Sequence, residues 1–319
     1  MLRREMQRYL VTGAAGNLAR QLMDELGSRG KEAFGIDLAP APEGQERNWR
    51  RVDITDRGSV ARLLAELQPE CILHMASLLS MSSAADPRRA WEVNASAAVT
   101  LLELAVEHGV RRFFFPSTSA TYGGALPDPL PEDHPQWPDN IYGATKVAVE
   151  RMGACFALSR GLDFRSVRLP VVASPFAPPA AVSAYASHVF AAAARGEPFT
   201  FPVAPEVAVS VIYVRDVTLG ILKLVEAPEE PLTRRVYNLH GFAASAGDLA
   251  RAAAQLVPGF RYRFEPAELP TRILSVQPSV YADASARRDW GWHPRFDLPA
   301  TADDLLARAR ATAATAQPC

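Results

Sequence analysis

The sequence is short of cysteine and of lysine. Its three cysteines, at positions 71, 155 and 319, have no paired spacing. An odd number of isolated cysteines predicts no disulfide framework, so a reducing compartment, the cytoplasm, is the expected location. Lysine occurs only at positions 31, 146 and 223, against 31 arginines. In a composition that favours arginine so strongly, a retained lysine is a candidate for a role that arginine cannot fill.

Long apolar runs and an excess of one charge are also missing. No apolar run approaches the ~20 residues of a membrane-spanning helix, and the N-terminal residues lack the apolar core of a signal peptide. The net charge of −1 gives no reason to expect a nucleic acid or a membrane as a partner. The six histidines form no H-E-x-x-H or C-x-x-C motif, so we predict no metal site.

The first half of the chain alternates short apolar runs with segments of helical periodicity. The apolar runs predict buried strands at 8–12, 33–37, 71–76, 112–116 and 164–169. Apolar residues at helical spacing predict helices over 60–67, over 94–108 and from Thr145 to near Gly161. This alternation predicts an α/β fold, a doubly wound parallel sheet of the Rossmann type with helices on both faces.

The alternation weakens in the second half. Residues 125–138 carry five prolines and residues 173–181 carry three, which favours ordered loops over strands or helices. We therefore predict a Rossmann domain over 1–172, which 214–244 rejoin with a helix and a strand. Residues 173–213 and 245–319 are predicted to form a smaller, discontinuous lobe.

A glycine-containing turn follows the first strand, with the sequence Thr-Gly-Ala-Ala-Gly-Asn-Leu-Ala at 12–19. Gly13 permits a tight turn and Gly16 lets the backbone approach a pyrophosphate. The helix that begins at Asn17 and Leu18 directs its N–H groups at the phosphates. Such glycines also occur in ordinary turns, but here a strand precedes them and an acidic residue ends the next strand. The turn therefore predicts a dinucleotide site.

That acidic residue is Asp37, 24 positions after Gly13. A carboxylate near this offset accepts hydrogen bonds from the adenosine ribose and repels a 2′-phosphate. No arginine follows it directly, because the next residues are Leu38, Ala39 and Pro40. NAD is therefore favoured over NADP. A plain turn or cap carboxylate is the alternative role for Asp37.

Asp53 and Ile54 close a further short strand, which we place between those at 33–37 and 71–76. A carboxylate at this edge of the sheet could contact the adenine amino group. A helix-capping aspartate is the alternative, and the sequence leaves the choice open.

Tyr142 and Lys146 are the strongest candidates for chemistry. A spacing of four residues on a helix places both side chains on one face. A phenol has a pKa near 10, and an ammonium within ~4–6 Å can lower it by roughly 1–3 units. The pair therefore predicts a tyrosine base tuned by a lysine that also binds the cofactor ribose. A solvated lysine beside a core tyrosine is the alternative.

Three hydroxyl residues, 117–119, follow the predicted strand at 112–116, where the carboxyl ends of strands face the ligand crevice. A hydroxyl here could bind the substrate oxygen and align it with Tyr142. The same run would also suit an ordinary turn.

Taken together, these motifs resemble the extended short-chain dehydrogenase/reductase family, also called the epimerase/dehydratase family. The resemblance covers nearly the whole chain and includes TGAAGNLA, Asp37, DITD, HMAS, PSTSATYG, YGATK and VRLP. Within the family the chain is most similar to L-threonine 3-dehydrogenase-like members, on the basis of LLS at 78–80, AWEVN at 90–94 and ARRDWGW at 286–292.

The resemblance implies roles for individual residues. It assigns the catalytic hydroxyl to Thr118, with Ser117 as the alternate, beside Tyr142 and Lys146. Further expectations are a homodimer and a substrate site that includes Ser80 in a smaller, substrate-binding lobe. Residues implied to line the cofactor are Met75, Ala76, Ser77 and Pro170. We expect Trp290, Trp292 and Phe296 to form the core of the smaller lobe.

Three departures from the family pattern lie on the substrate side. Ser83-Ala84 stands where a Gly-Glu pair is usual, Gln277 replaces a tryptophan, and residues 177–182 lack the usual glycines and threonines. We therefore expect an NAD-dependent dehydrogenase that oxidises a small polar secondary alcohol. The alternatives are a nucleotide-sugar epimerase or dehydratase that retains NAD, and a regulatory protein that binds NAD without turnover.

Overall fold

A computed structural model describes residues 6–179 and 181–315 of the chain. The strands are β1 (Arg8–Thr12), β2 (Glu32–Asp37), β3 (Trp49–Arg51), β4 (Cys71–His74), β5 (Arg112–Thr118), β6 (Asp163–Leu169), β7 (Val171–Ala173), β8 (Phe199–Phe201), β9 (Ala208–Tyr213), β10 (Val236–Asn238), β11 (Phe242–Ser245) and β12 (Tyr262–Phe264). The helices are α1 (Asn17–Ser28), α2 (Arg57–Leu67), α3 (Ser80–Ala85), α4 (Pro87–Trp91), α5 (Ala97–Glu107), α6 (Ile141–Arg160), α7 (Tyr185–Arg195), α8 (Val214–Glu226), α9 (Ala246–Leu256), α10 (Glu268–Leu274), α11 (Ala284–Trp290) and α12 (Leu298–Thr315).

The central sheet of the described chain has seven strands in the order β10-β6-β5-β4-β1-β2-β3. Every neighbouring pair is parallel. The chain runs outward from β1 in one direction through β2 and β3, and in the other through β4, β5 and β6. The predicted fold class, a doubly wound Rossmann sheet, is confirmed. Its topological switch point lies between β1 and β4, where ligands of such sheets bind.

Apolar residues cover both faces of this sheet. On β1, Tyr9 and Val11 pack into the cluster with α1 and α8, while Leu10 faces the opposite cluster with α2 and α5. Successive side chains on a strand point to opposite faces, so a strand buried on both sides reads as a continuous apolar run. This is why the central strands could be recognised in the sequence.

A second apolar cluster lies outside the central sheet. In the described chain, β11, β9 and β7 form a three-stranded sheet, and β12 pairs with β8. Helices α7, α9 and α12 contribute the buried side chains of this cluster. β10, in contrast, pairs with β6 at the edge of the central sheet.

The expectation that both tryptophans belong to the core of the smaller lobe is wrong. Trp290 and Trp292 pack into the cluster that covers the central sheet. A Cβ added to Gly220 of α8 would lie 2.6 Å from the Trp292 ring, so this glycine makes room for the indole. Only Phe296 packs on the second cluster, with its ring 4.9 Å from that of Tyr213.

Helix α6 begins earlier than the periodicity predicts. Asn140 caps it by accepting a hydrogen bond from the Gly143 N–H at 2.8 Å, so the helix starts at Ile141 rather than after Thr145. The apolar pattern alone missed this first turn because Ile141 is exposed and Tyr142 and Ala144 are only partly buried. Tyr142 therefore lies in the first turn and Lys146 in the second.

Buried arginines stabilise the amino ends of β5 and β6, on the side of the sheet away from the carboxyl ends of the strands. Arg112 and Arg165 form ion pairs with Asp163 at 2.6 and 2.8 Å. The same guanidinium groups donate to carbonyls at the C-terminal end of α8, which satisfies acceptors that have no partner within a helix.

Among residues 6–179 and 181–315, no helix combines the length and the apolar character that a membrane span requires.

Candidate active site

The glycine turn packs directly against the loop that follows β4. Gly13 has a φ of +62°, and a Cβ at this position would lie 2.6 Å from the Ala76 Cα. The Thr12 hydroxyl oxygen accepts a hydrogen bond from the Ala76 N–H at 3.1 Å and contacts the His74 Nδ1 at 2.8 Å. Burial and the nearby Lys146 lower the pKa of His74 to about 3, so this histidine is a neutral structural residue.

Helix α1 begins without a capping side chain. Gly16 is the N-cap residue, and the first turn has no acidic residue. The N–H groups of the first turn, which include those of Asn17 and Leu18, therefore face the crevice without a side-chain acceptor. A helix start of this kind binds phosphates through its N–H groups and its dipole. The residues at the switch point fit the pyrophosphate of a dinucleotide.

Asp37 lies at the end of β2 beside the glycine turn. Its two carboxylate oxygens accept hydrogen bonds from the N–H groups of Ala15, at 3.0 Å, and Ala39, at 2.9 Å. The carboxylate is only partly buried. Its position next to the turn fits the predicted contact with the adenosine ribose.

Asp53 neither ends a strand nor caps a helix. β3 ends at Arg51, and the Asp53 carboxylate accepts from the N–H and hydroxyl of Thr55 and from Arg89 at 3.3 Å. The Thr55 N–H is the main cause of the lowered pKa of this carboxyl. The cap of α2 is Asp56, not Asp53. Asp53 is a turn residue, and its contact with adenine stays a prediction, as does that of the following Ile54.

Asn94 holds the loop that follows β4, and sequence reasoning missed this role. Its Oδ1 accepts from the Leu78 N–H at 2.7 Å, and its Nδ2 donates to the Leu78 carbonyl at 2.9 Å. The amide therefore fixes the segment that contains Met75, Ala76 and Ser77. Asn94 lies in the π-helical turn Glu92–Ser96 between α4 and α5. The available signal was a single amide in an otherwise apolar helical pattern.

Thr118 and the start of α6 meet at the carboxyl end of β5. A Cβ on Gly143 would lie 2.1 Å from the Ala120 carbonyl oxygen, so α6 approaches the end of β5 as closely as glycine allows. The Thr118 hydroxyl accepts from the Ala120 N–H at 3.2 Å, and its side chain is only partly buried. Thr118 and Tyr142 are thus brought to the same edge of the sheet.

Lys146 is almost completely buried, with an exposed fraction of 3%. Its Nζ donates to the Pro116 carbonyl at 2.9 Å. The same nitrogen lies 4.4 Å from the centre of the Phe115 ring and 5.5 Å from the centre of the Tyr142 ring. Lysine and tyrosine are therefore neighbours on one face of α6, with the ammonium directed towards the end of β5.

Burial dominates the titration of this pair in the protein alone. It raises the pKa of Tyr142 to about 12 and lowers the pKa of Lys146 to about 7. The sequence predicts only that the ammonium lowers the pKa of the tyrosine. The difference arises because desolvation favours the neutral form of both groups.

Ser117 does not face the same side as Thr118. Neighbouring residues on a strand alternate between faces, and the Ser117 hydroxyl donates to the buried Glu150 carboxylate. This geometry argues against Ser117 as the substrate-binding or alternate catalytic hydroxyl. Thr118 stays the candidate.

Glu150 is the centre of a buried polar network that sequence reasoning missed. Arg168 binds it through Nε at 3.0 Å and Nη2 at 2.7 Å, and also donates to the Tyr122 hydroxyl at 2.8 Å. Tyr122 in turn donates to Asn238 at 2.6 Å. Glu150 lies one helical turn after Lys146 and opposes the effect of burial on the pKa of that lysine.

The second half of the chain contributes to the crevice through two contacts. The Ser174 hydroxyl donates to the Asn17 side chain at 2.5 Å and thereby joins the loop after β7 to the start of α1. On the other side, Tyr281 lies close to Ser119, the neighbour of Thr118, and donates to Gln277 at 3.3 Å. Residues 277–281 therefore lie close to Thr118 and Ser119, at the candidate active site.

The remaining predicted residues are less constrained. Pro170 is buried between β6 and β7, and Ser80 is exposed at the start of α3. Ala84, which stands where the family usually has a glutamate, is exposed on the same short helix. The smaller side chain therefore leaves no cavity inside the protein. Over the described ranges, no group of three or more metal-ligating side chains comes together.

Comparison with known proteins decides the family. Residues 9–239 match the NAD dependent epimerase/dehydratase family. The chain belongs to this family. The expected cofactor is confirmed, since members of the family are NAD-dependent enzymes, and the protein is an NAD-dependent enzyme of the extended short-chain dehydrogenase type.

Individual family members extend the likeness to nearly the whole chain. The mitochondrial L-threonine 3-dehydrogenase of Bos taurus is 30% identical over 308 residues, which are 95% of this chain and 82% of the relative. An uncharacterized epimerase/dehydratase of Staphylococcus haemolyticus is 28% identical and covers 94% of this chain and 97% of its own. The holo structure of a GalE-like L-threonine dehydrogenase from Cupriavidus necator superimposes with a TM-score of 0.90 at 31% identity, covering 94% of this chain and 99% of that one. The resemblance to L-threonine 3-dehydrogenase-like members is confirmed.

Proposed function

We propose that the protein oxidises the secondary hydroxyl of L-threonine, or of a small polar alcohol closely related to it. The observation that carries this proposal is the meeting of Thr118, Tyr142 and Lys146 at the carboxyl end of β5. These groups suit the removal of a hydroxyl proton, and a protein that only bound NAD would have no use for Tyr142.

The mechanism assigns one task to each side chain. The Tyr142 oxygen accepts the proton of the substrate hydroxyl as a general base. The Thr118 hydroxyl orients the substrate oxygen, and Lys146 binds the cofactor ribose and favours the ionised phenol by its charge. NAD⁺, held by the glycine turn, the start of α1 and Asp37, supplies the hydride acceptor and a further positive charge when it is bound.

The polar groups of the crevice that the second half of the chain covers support a class of substrate. We propose that residues 173–213 and 245–319 form the substrate-binding lobe, whose segment with Trp290 and Trp292 packs against the Rossmann domain over 1–172 and 214–244. Ser119, the neighbour of Thr118, and Tyr281, which is hydrogen-bonded to Gln277, offer neutral polar groups on this side of the crevice, which suits a small polar substrate. Because position 84 is exposed, an alanine there does not exclude an amino acid.

The first test compares substrates at saturating NAD⁺. We expect NADH formation with L-threonine or with a related β-hydroxy compound, and much less with aldonates and nucleotide sugars. Tyr142→Phe serves as the inactive control. If none of the small alcohols is oxidised, the proposed substrate class is wrong.

A second candidate is a nucleotide-sugar epimerase or dehydratase, which the family match and the staphylococcal relative favour. Such an enzyme would be purified with NAD bound and would form no net NADH. Conversion of a nucleotide sugar under these conditions would replace the dehydrogenase proposal.

We also propose that the protein is a cytoplasmic homodimer. Two large apolar side chains are exposed on helices that pack against each other, Trp91 at 50% on α4 and Leu158 at 90% on α6. An interface between subunits that includes α4 and α6 would cover these side chains. Free cysteines at 71 and 155 suit a reducing compartment.

Leu158→Glu is expected to shift the protein from dimer to monomer, because it would place a charge in the interface. The measurement is sedimentation velocity over a range of concentrations. Leu269→Glu, on α10, is the matched control and should leave the dimer intact. A wild-type protein that stays monomeric throughout would contradict the proposal.

A further inference from the structure

An arginine that is distant in sequence lies beside the candidate ribose carboxylate. β2 and β3 are parallel, and Asp37 is in register with Arg51. Residues paired in this way project from the same face of the sheet. The Arg51 Nε donates to the carbonyl of Leu38, the residue that follows Asp37, at 2.9 Å. The absence of an arginine directly after Asp37 therefore does not mean that no arginine is near.

The connection after β2 is fixed by hydrogen bonds from three sides. Asp37 accepts from the Ala39 N–H at 2.9 Å, and the Trp49 indole donates to the Ala39 carbonyl at 3.1 Å. Arg51 binds the intervening Leu38. The carboxylate is thus anchored to Ala39 and the guanidinium to the adjacent Leu38.

Arg51 also has donors to spare. Its side chain is exposed, and among residues 6–179 and 181–315 its two terminal NH₂ groups have no hydrogen-bond partner. The neighbouring Arg50 differs, since it donates to the carbonyls of Arg47 and Trp49 and forms an ion pair with Glu66 at 3.1 Å. Free guanidinium donors form the planar, charge-assisted hydrogen bonds that a phosphate accepts.

We propose that Arg51 forms a binding site for a phosphate on the 2′-hydroxyl of the adenosine ribose, and that Asp37 alone prevents its use. The proposal rests on the proposed contact between Asp37 and the ribose. In the wild-type protein the carboxylate repels a 2′-phosphate and binds the free diol, so NAD⁺ is preferred. Without the carboxylate, Arg51 turns the same place into a site for NADP⁺.

Calorimetric titration with 2′,5′-ADP and with 5′-ADP tests this without any substrate. We expect wild type to prefer 5′-ADP, and Asp37→Ser to prefer 2′,5′-ADP by about tenfold or more, which corresponds to ~1.4 kcal/mol. Adding Arg51→Ala to Asp37→Ser should abolish that preference. Adding Arg50→Ala instead is the matched control and should leave it unchanged. The ratio of kcat/KM for NADP⁺ and NAD⁺ should follow the same order.

The outcomes separate the two residues. If Asp37→Ser gains no affinity for 2′,5′-ADP, or keeps the gain after Arg51→Ala, the proposed role of Arg51 is wrong. If Asp37→Ser leaves the affinity for NAD⁺ unchanged, the ribose contact of Asp37 is wrong instead. Asp37→Asn, which keeps one acceptor oxygen for the glycine turn, replaces Asp37→Ser if the serine variant does not fold. Neither result depends on which alcohol the enzyme oxidises.

Discussion

Tyr142→Phe is expected to lower kcat by roughly 10²–10⁴-fold, the usual contribution of general acid–base catalysis. The substitution removes one oxygen and leaves the ring beside Lys146, so the affinity for NAD⁺ should change by less than about threefold. Measurements of kcat by NADH absorbance and of NAD⁺ affinity by calorimetry check the two parts. The proton acceptor is lost while the cofactor site stays.

Tyr9→Phe is the matched control for this variant. Tyr9 is buried on β1, and its hydroxyl has no hydrogen-bond partner within the described residues. Its loss should therefore leave kcat unchanged. Lys146→Ala, in contrast, should weaken both NAD⁺ binding and turnover, and Lys146→Arg should restore them only in part, because the guanidinium is larger and planar. Substantial activity in Tyr142→Phe would contradict the assigned base.

Much of the fold could be predicted because its signals are local. Central strands such as β1 and β5 are buried on both faces and appear as continuous apolar runs. Boundaries were less certain where function interrupts the pattern. The first turn of α6 follows its Asn140 cap rather than an apolar face, and β5 continues past Pro116 to Thr118.

The candidate cofactor residues could be selected for the same reason. Gly13 and Asp37 are candidates because of the strands and turns that surround them in sequence. The sequence does not predict that Arg51 lies beside Asp37, because this proximity depends on the pairing of β2 with β3. Ser117 remained the alternate to Thr118 in the sequence because the sequence alone does not show which of two adjacent hydroxyls faces the crevice.

The electrostatics of the site depend on contacts between distant segments. Lys146 takes its environment from Pro116 and Phe115, and the carboxylate nearest to it along α6, Glu150, is held by Arg168 of β6. These contacts join segments that are far apart in the chain, so no motif in the sequence predicts them. The Tyr142 and Lys146 motif therefore predicts which residues react, but not how their pKa values are set.

Glu150→Gln is expected to destabilise the protein and to change its pH dependence. Glu150 is 1% exposed, and its loss leaves the Arg168 guanidinium buried without a counter-charge. Breaking a buried ion pair in this way costs about 3–5 kcal/mol of the free energy of unfolding. Urea denaturation measures this cost. Glu66→Gln, which breaks the exposed pair with Arg50, is the control and should cost ~1 kcal/mol at most.

The pH profile separates an electrostatic role of Glu150 from a purely structural one. Burial lowers the pKa of Lys146 to about 7, and the Glu150 carboxylate opposes this shift. Because Lys146 must be charged to act, kcat/KM for NAD⁺ falls as the pH rises through its pKa. Without the carboxylate that pKa is lower, so in Glu150→Gln the fall begins at a lower pH than in wild type. An alkaline limb that stays in place, or that moves to higher pH, would show that Glu150 supports the fold and does not set the charge of Lys146.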